Sequence, residues 1–388
     1  MKNENKNNKL NYFYIILFVI SVSQSIGLGM AFASNFFKDA YNVGSEVRGI
    51  LEIPREIPGL ICIFATNFLL NFGGSIFIAI VSQILAGIGI FALGLSTPTF
   101  TIMCIWLFIN SMGMHLFLPQ QEGITLELAN ENHGRALGRA KTIFIAGIVL
   151  STGLFYIFYK LGWFRFDSTI KWSLIASAVL NIVAVIMLFF LKVERKQEKQ
   201  RLSFDKKFTN YYVLAGLAGA GKTITSVFGP WLLIQTFQKT SEYIAILIFI
   251  GAILGMLITH LFGIYVNNHR AKNSLVLDTL GSVLIFASYF IISFFVKFDI
   301  ALILASGIFI IDISLMQTGI AKANYLRELA EKEQLSQTLA TGTSLEHVIS
   351  IATSVAGGYI WAWFGSPYAF LVCLIPAILA FSIVLTKI

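Results

Sequence analysis

Residues 191–207 read LKVERKQEKQRLSFDKK, the longest polar stretch in a chain of 388 residues. What lies on either side of it decides the fold. A bilayer-crossing helix needs about 20 mostly apolar residues. Such runs occur before it at 11–36, 47–69, 75–94, 98–118, 142–160 and 171–191. They occur after it at 209–236, 243–264, 274–296, 299–321, 341–364 and 367–386. The composition agrees: 56% hydrophobic, only 12% charged, and a mean hydropathy of +0.77. A soluble domain carries about 25% charged residues. An ordinary soluble enzyme, a disordered chain and a collagenous chain are therefore excluded. The expected fold class is an all-α integral membrane protein with twelve transmembrane helices. Two six-helix bundles, 1–191 and 209–388, would be joined by a cytoplasmic basic linker, 192–208.

The net charge of +8 would suit nucleic acid, but the positions of the charges give another reason for it. With the N-terminus in the cytoplasm, nineteen Lys and Arg fall on the cytoplasmic side and six on the outer side. This is the bias that orients a multi-pass protein, so both termini are expected in the cytoplasm. No nucleic-acid partner is expected. Lys2, Lys6 and Lys9 precede the first apolar run, and Ala31-Phe32-Ala33 resembles a cleavage site. A signal h-region spans only about 7–15 residues, so this longer run reads as a retained span. Cys62, Cys104 and Cys373 lie in apolar runs without CxxC or Cys/His spacing. Neither a disulfide framework, a metal site nor a cofactor is expected.

Ionisable residues within spans are costly and face a cavity or a partner. The densest group is RGILEIPREIPG, residues 48–59 of the second span. At about 100° per residue, Arg48, Glu52, Arg55 and Glu56 share an arc of roughly 100°. Arg48 and Glu52 are i,i+4 partners, and Pro54 and Pro58 favour a kink. The cluster reads either as an ion-pair clasp between helices or as part of a substrate or proton pathway. Further candidates for that pathway are His115, Lys222, Asp312, Glu346 and His347. Asp278 lies close to Arg270 and Lys272, which favours a structural role. Glu346 and His347 are adjacent and point about 100° apart on a helix, which does not make them a pair. Gln24, Asn35, Asn110, Gln120, Gln121 and Gln317 either line a path or bond neighbouring helices. Trp163, Trp361 and Trp363 sit at span ends, as an interfacial belt would place them.

Gly216-Leu-Ala-Gly-Ala-Gly221-Lys222-Thr223 matches the phosphate-loop pattern. That pattern works between a strand and a helix, and here it lies inside an apolar span. No nucleotide is expected. The small residues read as a surface for close helix approach, with Lys222 facing a cavity and Gly229-Pro230-Trp231 breaking the span beyond.

The halves resemble each other. Leu126-Glu127-Leu128-Ala129 follows the fourth span, and Arg327-Glu328-Leu329-Ala330 follows the tenth. This pseudo-repeat, the twelve spans and the basic central loop resemble the major facilitator superfamily. The strings RGILEIPREIPG, GMHLFLPQQ and YLRELAEKEQLSQTLATGTSLEHVISI are similar to a poorly characterised bacterial branch of it. That family's glycine–acid–basic signature after the second span is replaced by Asn71-Phe-Gly-Gly-Ser75. After the eighth span, Gly263–Lys272 keeps basic residues, with asparagine in place of the acid. The resemblance implies a monomeric secondary transporter, not an enzyme, in the bacterial cytoplasmic membrane. It would move a small organic solute by alternating access. No ATPase domain is read, so an ion gradient or the solute's own gradient would drive it. Proton coupling and export are the working expectations. Arg48, Arg55 and Lys222 would instead suit facilitative uptake of an anionic solute, whereas Glu52, Glu56 and Asp312 suit a cationic one. A membrane-embedded sensor or receptor without flux, or a lipid-handling enzyme, are the competing classes.

Overall fold

The computed structural model describes residues 2–388 other than 30, 31, 96, 130–132, 194–200, 203, 296, 298 and 317–319. Residues 194–200 and 203 of the basic linker expected over 192–208 lie outside the described residues, as does Gln317. The described residues are almost entirely helical. In chain order the helices are α1 (Lys2–Ile26), α2 (Ala33–Tyr41), α3 (Ser45–Ile50), α4 (Glu52–Leu69), α5 (Ser75–Leu95), α6 (Phe100–Leu128), α7 (His133–Lys160) and α8 (Trp172–Phe190). Then follow α9 (Thr209–Thr223), a π-helical stretch Ile224–Phe228, the single turn α10 (Gly229–Trp231) and a second π-helical stretch Leu232–Thr236. The series closes with α11 (Ser241–Asn268), α12 (Ala271–Ile292), α13 (Asp299–Met316), α14 (Ile320–Leu329), α15 (Lys332–Phe364) and α16 (Ser366–Lys387).

Eight of the described helices are long and apolar enough to cross a bilayer by themselves. The other four spans are legible as α3 with α4, as α9 through the second π-helical stretch, as α13 and as α15. All twelve expected spans are thus present. Several helices outrun their apolar cores. The 33 residues of α15 extend roughly 50 Å at 1.5 Å each, against a hydrocarbon core of about 30 Å. The excess, residues 332–340, is mostly Lys, Glu, Gln, Leu and Ala, good helix formers, with one Ser and one Thr. The first span ends earlier than expected: α1 stops at Ile26 and α2 begins at Ala33.

The second span is interrupted where Pro54 dictates. Pro54 has no N–H for the Ile50 carbonyl, and its ring crowds that oxygen. α3 ends at Ile50, Leu51 turns, and α4 starts at Glu52 with Pro54 in its first turn. The seventh span, by contrast, does not break at Gly229-Pro230-Trp231. It stays helical by widening to π-turns on both sides. Gly216–Thr223 is α-helical throughout, so its amides serve the helix and form no phosphate cradle.

The chain forms two compact units: Met1–Tyr41 with Ile61–Lys199, and Asn42–Leu60 with Gln200–Ile388. In the first, Phe13, Leu17 and Ile20 of α1 pack with Ala79, Phe117, Ile124, Leu128 and Leu188. Polar bonds support this packing: Ser23 Oγ donates to the Ser177 carbonyl at 2.8 Å, and Asn110 Nδ2 to that of Ala86 at 2.9 Å. The loop after α7 folds Phe166 onto Phe36 and Phe155. In that loop Arg165 donates twice to Asp167, which holds the Asp167 carboxyl below its usual range.

In the second unit, Phe208, Tyr211 and Leu214 pack with Leu275, Leu326 and Val384. Close backbone approach joins α9 to α15 at Gly219, which lies against the Glu346 carbonyl. It joins α3 to α15 at Gly49, which lies against the Ser354 carbonyl and Gly358. Residues 42–60 pack with this unit for such reasons, since Gly49 and Gly358 leave no side chains between the helices. The Trp231 indole, fully buried, also donates to Ser45 Oγ at 3.0 Å.

A methyl group at Gly49 has no room against the Ser354 carbonyl. Gly49→Ala should therefore cost about 1–3 kcal/mol, the usual penalty of overpacking. A lower thermal unfolding midpoint of the purified variant checks this, and a wild-type midpoint would rule the close crossing out.

Candidate functional site

The four charges of the second span do lie on one side, but they divide into two sites within the second unit. The first is centred on Glu52, which is 1% exposed. Its Oε1 accepts from Arg48 Nη1 at 2.6 Å and from Arg55 Nη1 at 2.5 Å. Arg48, 0% exposed, also donates from Nη2 to the Ser226 carbonyl at 3.2 Å. Pro230 explains why that carbonyl is available. Four residues on from Ser226, where an α-helix would supply an N–H, proline has none. The guanidinium takes the donor's place.

The second site is centred on Glu56, one helical turn further along α4 and also buried. Its Oε2 accepts from Lys222 Nζ of α9 and from His347 Nδ1 of α15, each at 2.6 Å. Gly59 lies directly against the His347 imidazole, leaving no space for a side chain there. Residues 42–60 are thus tied to the seventh span by Arg48 and Glu56, and to α15 by Glu56. Thr223 fastens α9 to α15 beside them, with its Oγ1 3.2 Å from the Ser350 carbonyl and 3.2 Å from Ser354 Oγ.

Lys222 also borders a cavity of about 570 Å³ lying entirely within the second unit. Its wall is mostly apolar, with Lys222, Asp278, Asp312, Lys322 and Glu346 as the charged members and Thr225, Thr279 and Ser282 as hydroxyls. Lys322 Nζ is 3.3 Å from Glu346 Oε2. Asp312, 4% exposed, accepts at Oδ1 from Thr225 Oγ1 at 2.7 Å and at Oδ2 from the Tyr289 hydroxyl at 3.3 Å. Tyr289 is held by stacking on Phe370, ring centroids 5.0 Å apart.

The structure therefore gathers Arg48, Glu52, Arg55, Glu56, Lys222, Asp312, Glu346 and His347 in one unit. Glu346 and His347 separate as a 100° step requires, the one to Lys322 and the other to Glu56. His115 belongs to α6 in the other unit, where its Nδ1 lies 3.1 Å from Ser111 Oγ and 2.9 Å from the Ser111 carbonyl. Trp163 and Trp363 are exposed at helix ends, but Trp361 is buried against Phe228 and Phe370. Sequence reasoning does not single out Thr225 and Tyr289, hydroxyls with no distinguishing pattern, nor Lys322, which lies just past the apolar run 299–321. The signal for Ser226 was present in Pro230.

The Major Facilitator Superfamily matches residues 13–323. The chain belongs to this superfamily. Solved structures agree on the fold. The nucleoside transporter NupG superposes with a TM-score of 0.72 at 12% identity, over 97% of this chain and 98% of that one. A mutant of NupG gives 0.75 at 13% identity, over 96% and 98%. A D-xylose-proton symporter gives 0.72 at 14% identity, over 96% and 97%. At these identities the likeness establishes fold alone. A comparison with curated protein sequences finds no match. Membership of the superfamily makes the chain a multi-pass membrane protein of transporter fold, with twelve spans in the 6+6 arrangement.

Glu52 is the counter-ion of two arginines, one fully buried. Glu52→Gln should cost about 3–5 kcal/mol, the penalty for stranding a buried charge. Arg48→Met should cost less, about 1–3 kcal/mol, because Glu52 keeps Arg55 as a counter-ion while it and the Ser226 carbonyl each lose a donor. Unfolding midpoints of the two variants check the order, and the double variant should be milder than the sum.

Proposed function

We propose that the protein is a proton-coupled secondary transporter of a small organic solute, working by alternating access in the cytoplasmic membrane with both termini inside. Superfamily membership supports transport, and the Lys and Arg bias supports the orientation. One observation carries the coupling. Glu56, on the segment 42–60, holds both Lys222 and His347 through a single carboxylate oxygen.

The chemistry is that of a proton-operated clasp. Ionised, Glu56 attracts the Lys222 ammonium and accepts from His347, which fixes residues 42–60 to the seventh span and α15. A proton on Glu56 removes the charge that both partners are bound to. The clasp then weakens by a charge-assisted bond, and Lys222 is released toward the cavity it borders. Proton binding and the packing of the second span thus bias one equilibrium, which is the requirement for coupling. An anionic solute is the weaker reading, because Lys222 and Arg48 already hold carboxylates.

The test uses proteoliposomes and a solute found by ligand-induced thermal stabilisation of the purified protein. An imposed pH gradient should drive accumulation by the wild type. Glu56→Gln should lose at least about tenfold of that gradient-driven flux while retaining solute counterflow. Wild-type accumulation indifferent to the pH gradient would falsify proton coupling.

A further inference from the structure

The cavity wall of the second unit carries charges of both signs, and they are not equally satisfied. Lys222 is engaged by Glu56 at 2.6 Å and Lys322 by Glu346 at 3.3 Å. Asp312 differs from both. Its hydrogen bonds come from the hydroxyls of Thr225 and Tyr289, and no ion pair among the described residues includes it. Hydroxyls orient a carboxylate without neutralising it. Buried in a membrane protein, such a group calls for a proton or a cation. A carboxylate offers about four lone-pair positions, and the two hydroxyls occupy two of them.

Geometry directs the remaining positions. Asp312 borders the cavity of about 570 Å³ together with Phe262, Ile285, Phe286 and Leu315. Thr225, which orients Oδ1, lies on the π-helical stretch Ile224–Phe228. Such departures from α-geometry concentrate at functional sites. Tyr289, locked by its stack on Phe370, orients Oδ2.

We infer that Asp312 is the anionic anchor of a solute subsite for an organic cation. The solute's ammonium or equivalent group sits on the carboxylate held by Thr225 and Tyr289, and its apolar body lies against Phe262, Phe286 and Leu315. This rests on reading the chain as a transporter, and it gives the two buried acids different tasks. Glu56 is held in an ion pair with Lys222 and bonded to His347, and it serves the clasp. Asp312 is supported by hydroxyls alone and serves the solute.

The experiment is equilibrium binding of radiolabelled tetraphenylphosphonium to the full chain in lipid nanodiscs, with empty discs subtracted. Saturable binding is expected, displaced by benzyltrimethylammonium and not by benzenesulfonate at equal concentration. Asp312→Asn should weaken affinity by at least about tenfold, and Asp312→Glu should keep most of it. A monodisperse Asp312→Asn that binds as the wild type does overturns the inference. So does wild-type protein with no saturable component, or one from which the sulfonate displaces the label as well as the ammonium does. Those two wild-type outcomes decide the matter if the asparagine variant does not fold. No gradient is present, so loss of proton coupling leaves this result standing. Absence of cation binding in turn leaves proton-driven transport of another solute intact.

Discussion

A carboxylate removed from water must be met by positive charge or by donors, and Glu56 is met by both Lys222 and His347. The placement of the second span follows from that requirement. Glu56 sits one turn beyond Glu52, which in turn holds Arg48 and Arg55. Each acid is satisfied, and each satisfaction commits the segment 42–60 to the second unit. Gly49 and Gly358 then allow the backbones to approach closely enough for the bonds to form.

The seventh span is shaped around the same need. Pro230 removes one N–H from the helix, and the π-helical turns on either side absorb the irregularity without unwinding. The Ser226 carbonyl so exposed accepts from Arg48. Thr225, its neighbour, holds Asp312 on the cavity wall. One local departure from α-geometry thus positions both a cation of the second span and an acid of the tenth. In a bilayer, where backbone groups cannot turn to water, irregular helix survives only where such partners exist.

Much of this was legible in the residue order. Charges are so scarce in the chain that their positions stand out, and the arc shared by Arg48, Glu52, Arg55 and Glu56 follows from helical spacing alone. The division of that arc into two sites was not legible, because it depends on which residues of distant spans arrive opposite each acid. Thr225 and Tyr289 carry no pattern that separates them from other hydroxyl residues of the spans. Lys322 falls just past the apolar run 299–321, where the sequence marks it only as a cytoplasmic-side charge, whereas the structure places it on α14 beside Glu346. The interruption at Leu51 was half legible: the prolines announced a kink, and the steric rule for Pro54 places it at Ile50.

The residue order by itself determined the solvent, the number of spans and the 6+6 division. These depend on local composition and on the cost of charge in lipid, which every stretch of chain pays on its own. It also determined which few ionisable residues had to be explained. Tertiary structure alone decided their partners: Glu56 with Lys222 and His347, Glu346 with Lys322, Asp312 with Thr225 and Tyr289. The physical reason is range. A buried charge is balanced within about 3 Å, and nothing in the spacing along the chain specifies which residue, from 23 to 291 positions away in these pairs, will be brought that close.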